Sequence, residues 1–409
     1  MTHREQMLAA IRGDPIDHLP WVPRMNLWYI AQRAREALPP RLTGLDIVGV
    51  ADALGIACHA VNGDPTLPRK PEDFLLRGLG FDNHPDYPYR LELRGLPVAF
   101  CHDGAHFTTV IQTPAGNVGT ALEHTEDMRR NGISIPFPKK YAIRSIDDIE
   151  PVAQVFEHLE VIPTPHAYAA YRSRVGDRGL AVAKGPPAAS PMHHILHQLM
   201  AQEQFFYLYA DEHEALTALA RRMEPFFERL LAAILACEAE VVFWGGNYDQ
   251  NITTPKFFAT EIAPWLRRAS ARAHAVGKAL LTHTDGENQK LLPLYPSCGF
   301  DVAESVCPKP MTRCSLQEIR HGMGPGVTIW GGICSIALLK GSMDDAAFER
   351  YVDQTFAQIG SGERLILGVS DMVPPDADLN RLERIKERVE AFGPVPAAHG
   401  VSARHLPSH

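Results

Sequence analysis

The chain has 409 residues, 45% hydrophobic and 22% charged, with a formal net charge of −8. This is the balance of a folded globular protein, and an acidic surface is a poor match for a nucleic-acid backbone. No stretch reaches the ~18 apolar residues of a membrane helix, and seven cysteines without CxxC spacing read as reduced thiols of a cytoplasmic protein.

In chain order, Met1 to Arg12 carries charges through an amphipathic pattern and has no signal-peptide core. Leu19 to Met25 reads as a first strand and Gly179 to Lys184 as another. Between them, residues 107–113 and 117–123 alternate around a Pro/Gly turn, which is a hairpin signal. We read residues 90–125 as an antiparallel insertion, a candidate dimer contact or lid. Ala215 to Cys237 places Leu216, Leu219, Met223, Phe226 and Leu230 at helical spacing, with Pro225 expected to kink or split the helix.

Short apolar strands then follow at 240–246, 278–282, 300–304, 326–330 and 364–368. Amphipathic helices are expected at 257–276, 288–295, 315–321, 345–359 and 378–392. This alternation means a parallel sheet covered by helices. Five late strands and two early ones favour a single (β/α)8 TIM-type barrel over residues 1–393. A doubly wound sheet is disfavoured because no Gly-x-Gly-x-x-Gly turn follows the first strand. The Pro-, Ala- and His-rich tail, 394–409, reads as disordered.

Barrel active sites are built at the carboxyl ends of the strands. That rule selects Arg24, Asn26 and Trp28, then Lys184, then Asn247 and Asp249, then His283 and Asp285, then Glu304, Cys334, Ser370 and Asp371. His283 and Asp285 stand out: an apolar run stops at His-Thr-Asp-Gly, and residues two apart on a strand share a face. Helix capping accounts for Asp249, Asp285 or Ser370 taken singly, but Glu304 and Cys334 follow apolar strands and are not favoured caps. His283, Asp285, Glu304 and Cys334 are therefore the expected ligands of zinc or another divalent ion, with one position open to substrate or water. His193 and His194 read as the start of a surface helix, and the other cysteines as packing residues.

The opening segment Arg4–Pro20 resembles the start of uroporphyrinogen-decarboxylase-like proteins. So do His283-x-Asp-Gly286, the acidic strand end at Glu304, the Gly-Gly loop at 331–332 and the segment Leu365–Asn380. The resemblance implies a β/α barrel. It also implies either the decarboxylase of haem biosynthesis or a zinc-dependent methyltransferase working with corrinoid proteins, folates or thiol acceptors. The decarboxylase's arginine-rich segment after the first strand is here Pro23-Arg-Met-Asn-Leu-Trp-Tyr29, with Arg24 but no second arginine, too few guanidinium groups for a poly-carboxylate tetrapyrrole. The methyltransferases' His-x-Cys is His283-x-Asp285, and their last-strand cysteine falls near Ser370-Asp371. The ligands are thus harder and suited to polarising an oxygen.

The resemblance therefore points to a metal-assisted methyltransferase or demethylase of a small methoxylated or methylated compound, with a corrinoid or tetrahydrofolate as methyl carrier and a corrinoid protein as partner. Arg24, Asn26, Trp28, Tyr29, Lys184, Asn247 and Asp249 are the expected pocket lining, and Asp371 and Asp285 the acid–base groups, with Asp371 in reserve as a metal ligand. One alternative is a metal-independent decarboxylase in which Arg24 and Lys184 anchor a carboxylate. Another is a non-catalytic barrel that binds a corrinoid or tetrapyrrole.

Overall fold

The computed structural model describes residues 1–398. Eleven strands form three sheets among these residues: β1 (Tyr89–Leu93), β2 (Val98–His102), β3 (His106–Thr113), β4 (Gly116–Glu123), β5 (Phe137–Lys140), β6 (Leu159–Pro163), β7 (Val241–Gly246), β8 (Ala279–His283), β9 (Val302–Val306), β10 (Thr328–Ile333) and β11 (Leu365–Val369). The last five make one parallel sheet in the order β11-β10-β9-β8-β7, and every residue in them is buried. Continuous apolar strands such as Leu365-Ile-Leu are stable only when both faces are covered. Each fully buried Leu, Ile, Val or Phe contributes about 1.5–3 kcal/mol.

Three further segments join this sheet through single parallel bridges, Trp21 to Leu367, Cys58 to Gly179 and Ala183 to Val242. Backbone hydrogen bonds follow the same path: Val22 N–H to Leu367 O (2.8 Å), Ala57 N–H to Trp21 O (3.1 Å), Cys58 N–H to Arg178 O (2.7 Å) and Ala183 N–H to Val241 O (3.1 Å). The architecture is thus α/β with a five-stranded parallel sheet, and eight regular strands are not formed. The strand expected at 19–25 shrinks to one bridge because Pro20 and Pro23 lack the N–H a ladder needs, and a helix already begins at Asn26.

The expected hairpin is part of something larger. β2-β3-β4-β5 form a four-stranded antiparallel sheet reaching residue 140, and β1 pairs antiparallel with β6. Exposure of most of β2 and Pro138 within β5 hid these strands from a hydrophobic-alternation reading.

The helix His213–Leu235 is continuous through Pro225. The helix expected at 288–295 is instead a 3-10 turn, Leu292–Ser297, in which Pro293 and Pro296 break the α ladder. The helix expected at 257–276 is a single turn from Pro255, a π-turn over Phe258–Ile262 and then Ala263–Ala275. Of the expected tail, Val395 bridges Ile16 and Ala398 N–H bonds Gly13 O (2.9 Å), while residues 399–409 lie outside the described residues. Among the described residues no helix is long and apolar enough to cross a membrane.

Candidate metal centre

His283 ends β8 and pairs in register with Glu304 of β9, which places both side chains at the same level of adjacent strands. A Cβ on Gly246 would lie 2.7 Å from the His283 Cβ, so β7 approaches the histidine closely only because position 246 is glycine. His283 Nδ1 and Glu304 Oε2 are 2.5 Å apart, and the other Glu304 oxygen, Oε1, lies 3.0 Å from His59 Nε2. Glu304 is therefore enclosed by two imidazoles, all three groups being buried.

With Nδ1 engaged, His283 turns Nε2 outward, 3.7 Å from Asp371 Oδ1. One ligand atom each from His283, Asp285 and Asp371 lies within 4.8 Å of the others, the one such group of three or more His, Cys, Asp or Glu among the described residues. Asp371 follows β11 by two residues and adopts a left-handed backbone (φ 51°), held by its N–H to Ser305 Oγ (2.8 Å). Ser370 Oγ donates to the carbonyls of Val306 (3.0 Å) and Ile333 (2.8 Å), tying β9 and β10 to this turn. Arg24 Nη1 reaches Asp371 Oδ1 at 3.1 Å.

The charges are strongly coupled. Burial works against a protonated His283, yet the charge and hydrogen bond of Glu304, with Asp371 and Asp285 behind them, raise its pKa above the ordinary value. Burial alone would raise the pKa of Glu304, but His283 and His59 outweigh it and hold the carboxyl well below the usual range. Burial lowers the pKa of His59 against the pull of Glu304. Asp285 is raised by burial and by Asp371, with His283 opposing.

Two of the expected ligands are placed differently. Glu304 stands behind His283, both of its oxygens taken by imidazoles, and is not in the three-residue group. Cys334 is fully buried, its N–H held by Tyr351 Oη (2.6 Å) and its thiol hydrogen-bonded to Cys307, which lowers the pKa of Cys334 and raises that of Cys307. Strand-end position alone could not distinguish a ligand from a residue that holds one.

The expected pocket lining also divides. Arg24 reaches the acidic group. Lys184 is half-buried, its ammonium 3.4 Å from the centre of the Phe243 ring, and burial together with Arg24 lowers its pKa to about 7. Asn26 is the first residue of its helix and half-buried. Trp28 and Tyr29 are core residues; Tyr29 Oη donates to Leu45 O (2.7 Å), and its ring borders a separate cleft of about 520 Å³ with Arg33, Asp46 and Thr66. Asn247 is exposed, with φ 60°, and touches the site through its backbone, N–H to His283 O (2.9 Å). Asp249 caps its own loop, accepting from Asn251 N–H (2.8 Å) and Glu287 N–H (3.0 Å).

The sequence reading missed His59, although a lone histidine inside the apolar run Ile56–Val61 was the available signal. It also placed His193 and His194 at the surface. Both are buried, His194 stacked on Phe81 (4.5 Å) and bonded to Leu79 O (2.8 Å).

A five-stranded parallel sheet whose carboxyl ends gather ionisable side chains defines an α/β protein. The chain belongs to the uroporphyrinogen decarboxylase (URO-D) family, whose model matches residues 99–392. No curated protein matches the chain. Among solved structures, a methyltransferase from Methanosarcina mazei is similar in fold, with a TM-score of 0.56 and 14% sequence identity over 96% of this chain and 99% of that one.

Proposed function

We propose that this chain is a metal-assisted methyltransferase or demethylase acting on a small methoxylated or methylated compound, with a corrinoid, free or carried by a partner protein, or a folate as the methyl carrier. The five parallel strands and three bridged segments act on this reading as a β/α barrel with the reaction at its carboxyl end. The observation that carries the reading is the group formed by His283, Asp285 and Asp371, three ligand atoms mutually within 4.8 Å. Family membership and the similar fold of a methyltransferase add support.

The donor set fits a divalent ion: one neutral nitrogen and two carboxylates, with coordination positions left for substrate. A bound divalent ion would act as a Lewis acid on the substrate oxygen that loses or gains the methyl group. Glu304 fixes the His283 ring through Nδ1, which leaves Nε2 as the atom that would hold the ion, the arrangement in which a carboxylate orients a metal-binding histidine. Arg24 donates to Asp371 Oδ1, the same oxygen that lies nearest His283 Nε2, and holds that carboxylate at the site. Asp285, with its raised pKa, is placed to hold a proton for the departing oxygen when it is not a ligand.

Metal analysis of the purified protein tests the centre, and methylation of reduced cobalamin by a panel of methoxylated compounds tests the activity. We expect about one divalent ion per chain, lost in His283→Ala together with methyl transfer. A metal-free wild-type protein that retains turnover would favour the metal-independent decarboxylase instead.

A further inference from the structure

On the acidic side of the site Glu304 lies between His59 and His283, and Asp371 is met by Arg24 and His283. The basic side differs. Lys184 closes the segment that bridges β7 at Ala183, and no carboxylate pairs with its ammonium among the described residues. What lies against it is the face of Phe243. Gly185 packs so tightly on the Phe243 carbonyl that an added Cβ would come within 2.2 Å of it, which fixes the backbone beside the lysine. The segment that ends at Lys184 also bridges Cys58 at Gly179, next to the His59 that meets Glu304, and Arg24, Glu304, Asp82 and Arg77 are the charges that act on the lysine. Arg24 also has a buried Nε–H with no hydrogen-bond partner.

Two basic groups on strand ends of one site, one unpaired and one with an idle donor, are both held charged only when an anion joins them. We infer that the substrate carries a carboxylate, which binds Lys184 and the free edge of Arg24 while the methylated oxygen of the same molecule faces His283, Asp285 and Asp371. The inference rests on the methyl-transfer reading and supplies its substrate class, small methoxylated or methylated acids. Two cationic groups suit one carboxylate arm, whereas a poly-carboxylate tetrapyrrole needs several.

Binding rather than turnover provides the test, so it can fail independently of methyl transfer. The purified protein is titrated, with ligand-observed NMR detection, with methoxyacetate and 4-methoxybenzoate and with the amide of each. We expect at least one acid to bind tenfold or more tightly than its amide, Lys184→Met to erase that preference, and Lys184→Arg to keep most of it, with metal content equal in the three proteins. Equal binding of acid and amide, no binding of either acid, or a preference that survives Lys184→Met would overturn the inference. The wild-type comparison decides the matter even if Lys184→Met does not fold. Acid-selective binding by a protein that contains no metal would uphold the anion site and sink the methyl-transfer reading alone.

Discussion

At the scale of single residues, the site turns on which nitrogen of His283 is free. Glu304 occupies Nδ1, so the proton that would block Nε2 is the one that binds when the ring becomes cationic. Glu304→Gln keeps the shape but removes the charge that orients the ring and makes it basic. We expect metal affinity to fall about 10–100-fold, measured by chelator competition, with the fold retained. The pKa shifts also fix the pH dependence. The raised pKa of His283 means that its pairing with Glu304 stabilises the metal-free fold fully below the unfolded value of about 6.5, and that this contribution is lost as pH rises through the higher folded value. The lowered pKa of Glu304 means that its contribution is present above about 4.5 and lost as pH falls through the lower folded value. A metal at Nε2 would compete with the proton there, so metal affinity should rise with pH over the same range in which the metal-free protein loses stability. Denaturation and metal titrations at pH 6, 7 and 8 check both slopes, and parallel rather than opposed trends would remove His283 from the ligand set.

At the scale of elements, β10 is the most constrained strand. Its register against β9 shifts between Trp330 and Gly331, and Gly331 has φ 142°, with room for a Cβ only 2.6 Å from Val306 O. That carbonyl also accepts the Ser370 hydroxyl that holds the turn carrying Asp371. Gly331→Ala should therefore destabilise the fold by about 2 kcal/mol or more and weaken metal binding with it, both measurable on one preparation by urea denaturation and metal titration. The five strands of this sheet were legible because each contains a short apolar stretch set between helical patterns, and each begins one or two residues after its expected start. The segment around Cys58 was not, because it contributes only a few backbone hydrogen bonds after the helix Ile47–Leu54. For the same reason His59 escaped notice. The strand-end rule singled out His283, Asp285 and Asp371, which the fold brings around one point. It could not tell that Glu304 faces two imidazoles or that Cys334 faces Cys307, because spacing along a strand does not reveal which atom meets which across strands.

At the scale of the whole molecule, the three residues of the candidate metal group come from two distant parts of the sequence, β8 with its following loop and the turn after β11. The N-terminal region meets the end of this sheet. Trp21 bridges Leu367 of β11, Thr328 Oγ1 at the start of β10 donates to Ala10 O (3.2 Å), and Arg364 donates to Ile11 O (2.6 Å). An ion held by such a group would bind the folded chain and not the unfolded one, in which Asp371 is far from His283 and Asp285. Its binding would stabilise the whole fold by mass action, by about 2.7 kcal/mol when the free ion is at 100 times its dissociation constant. We expect chelation to lower the melting temperature of the wild-type protein by a few degrees, and re-addition of the divalent ion to restore it in proportion to the logarithm of its concentration. In His283→Ala and in Asp371→Asn, which keeps a side chain tolerant of the left-handed backbone, the same chelator should leave the melting temperature where it was. A chelation shift of equal size in all three proteins would place the stabilising ion elsewhere on the chain.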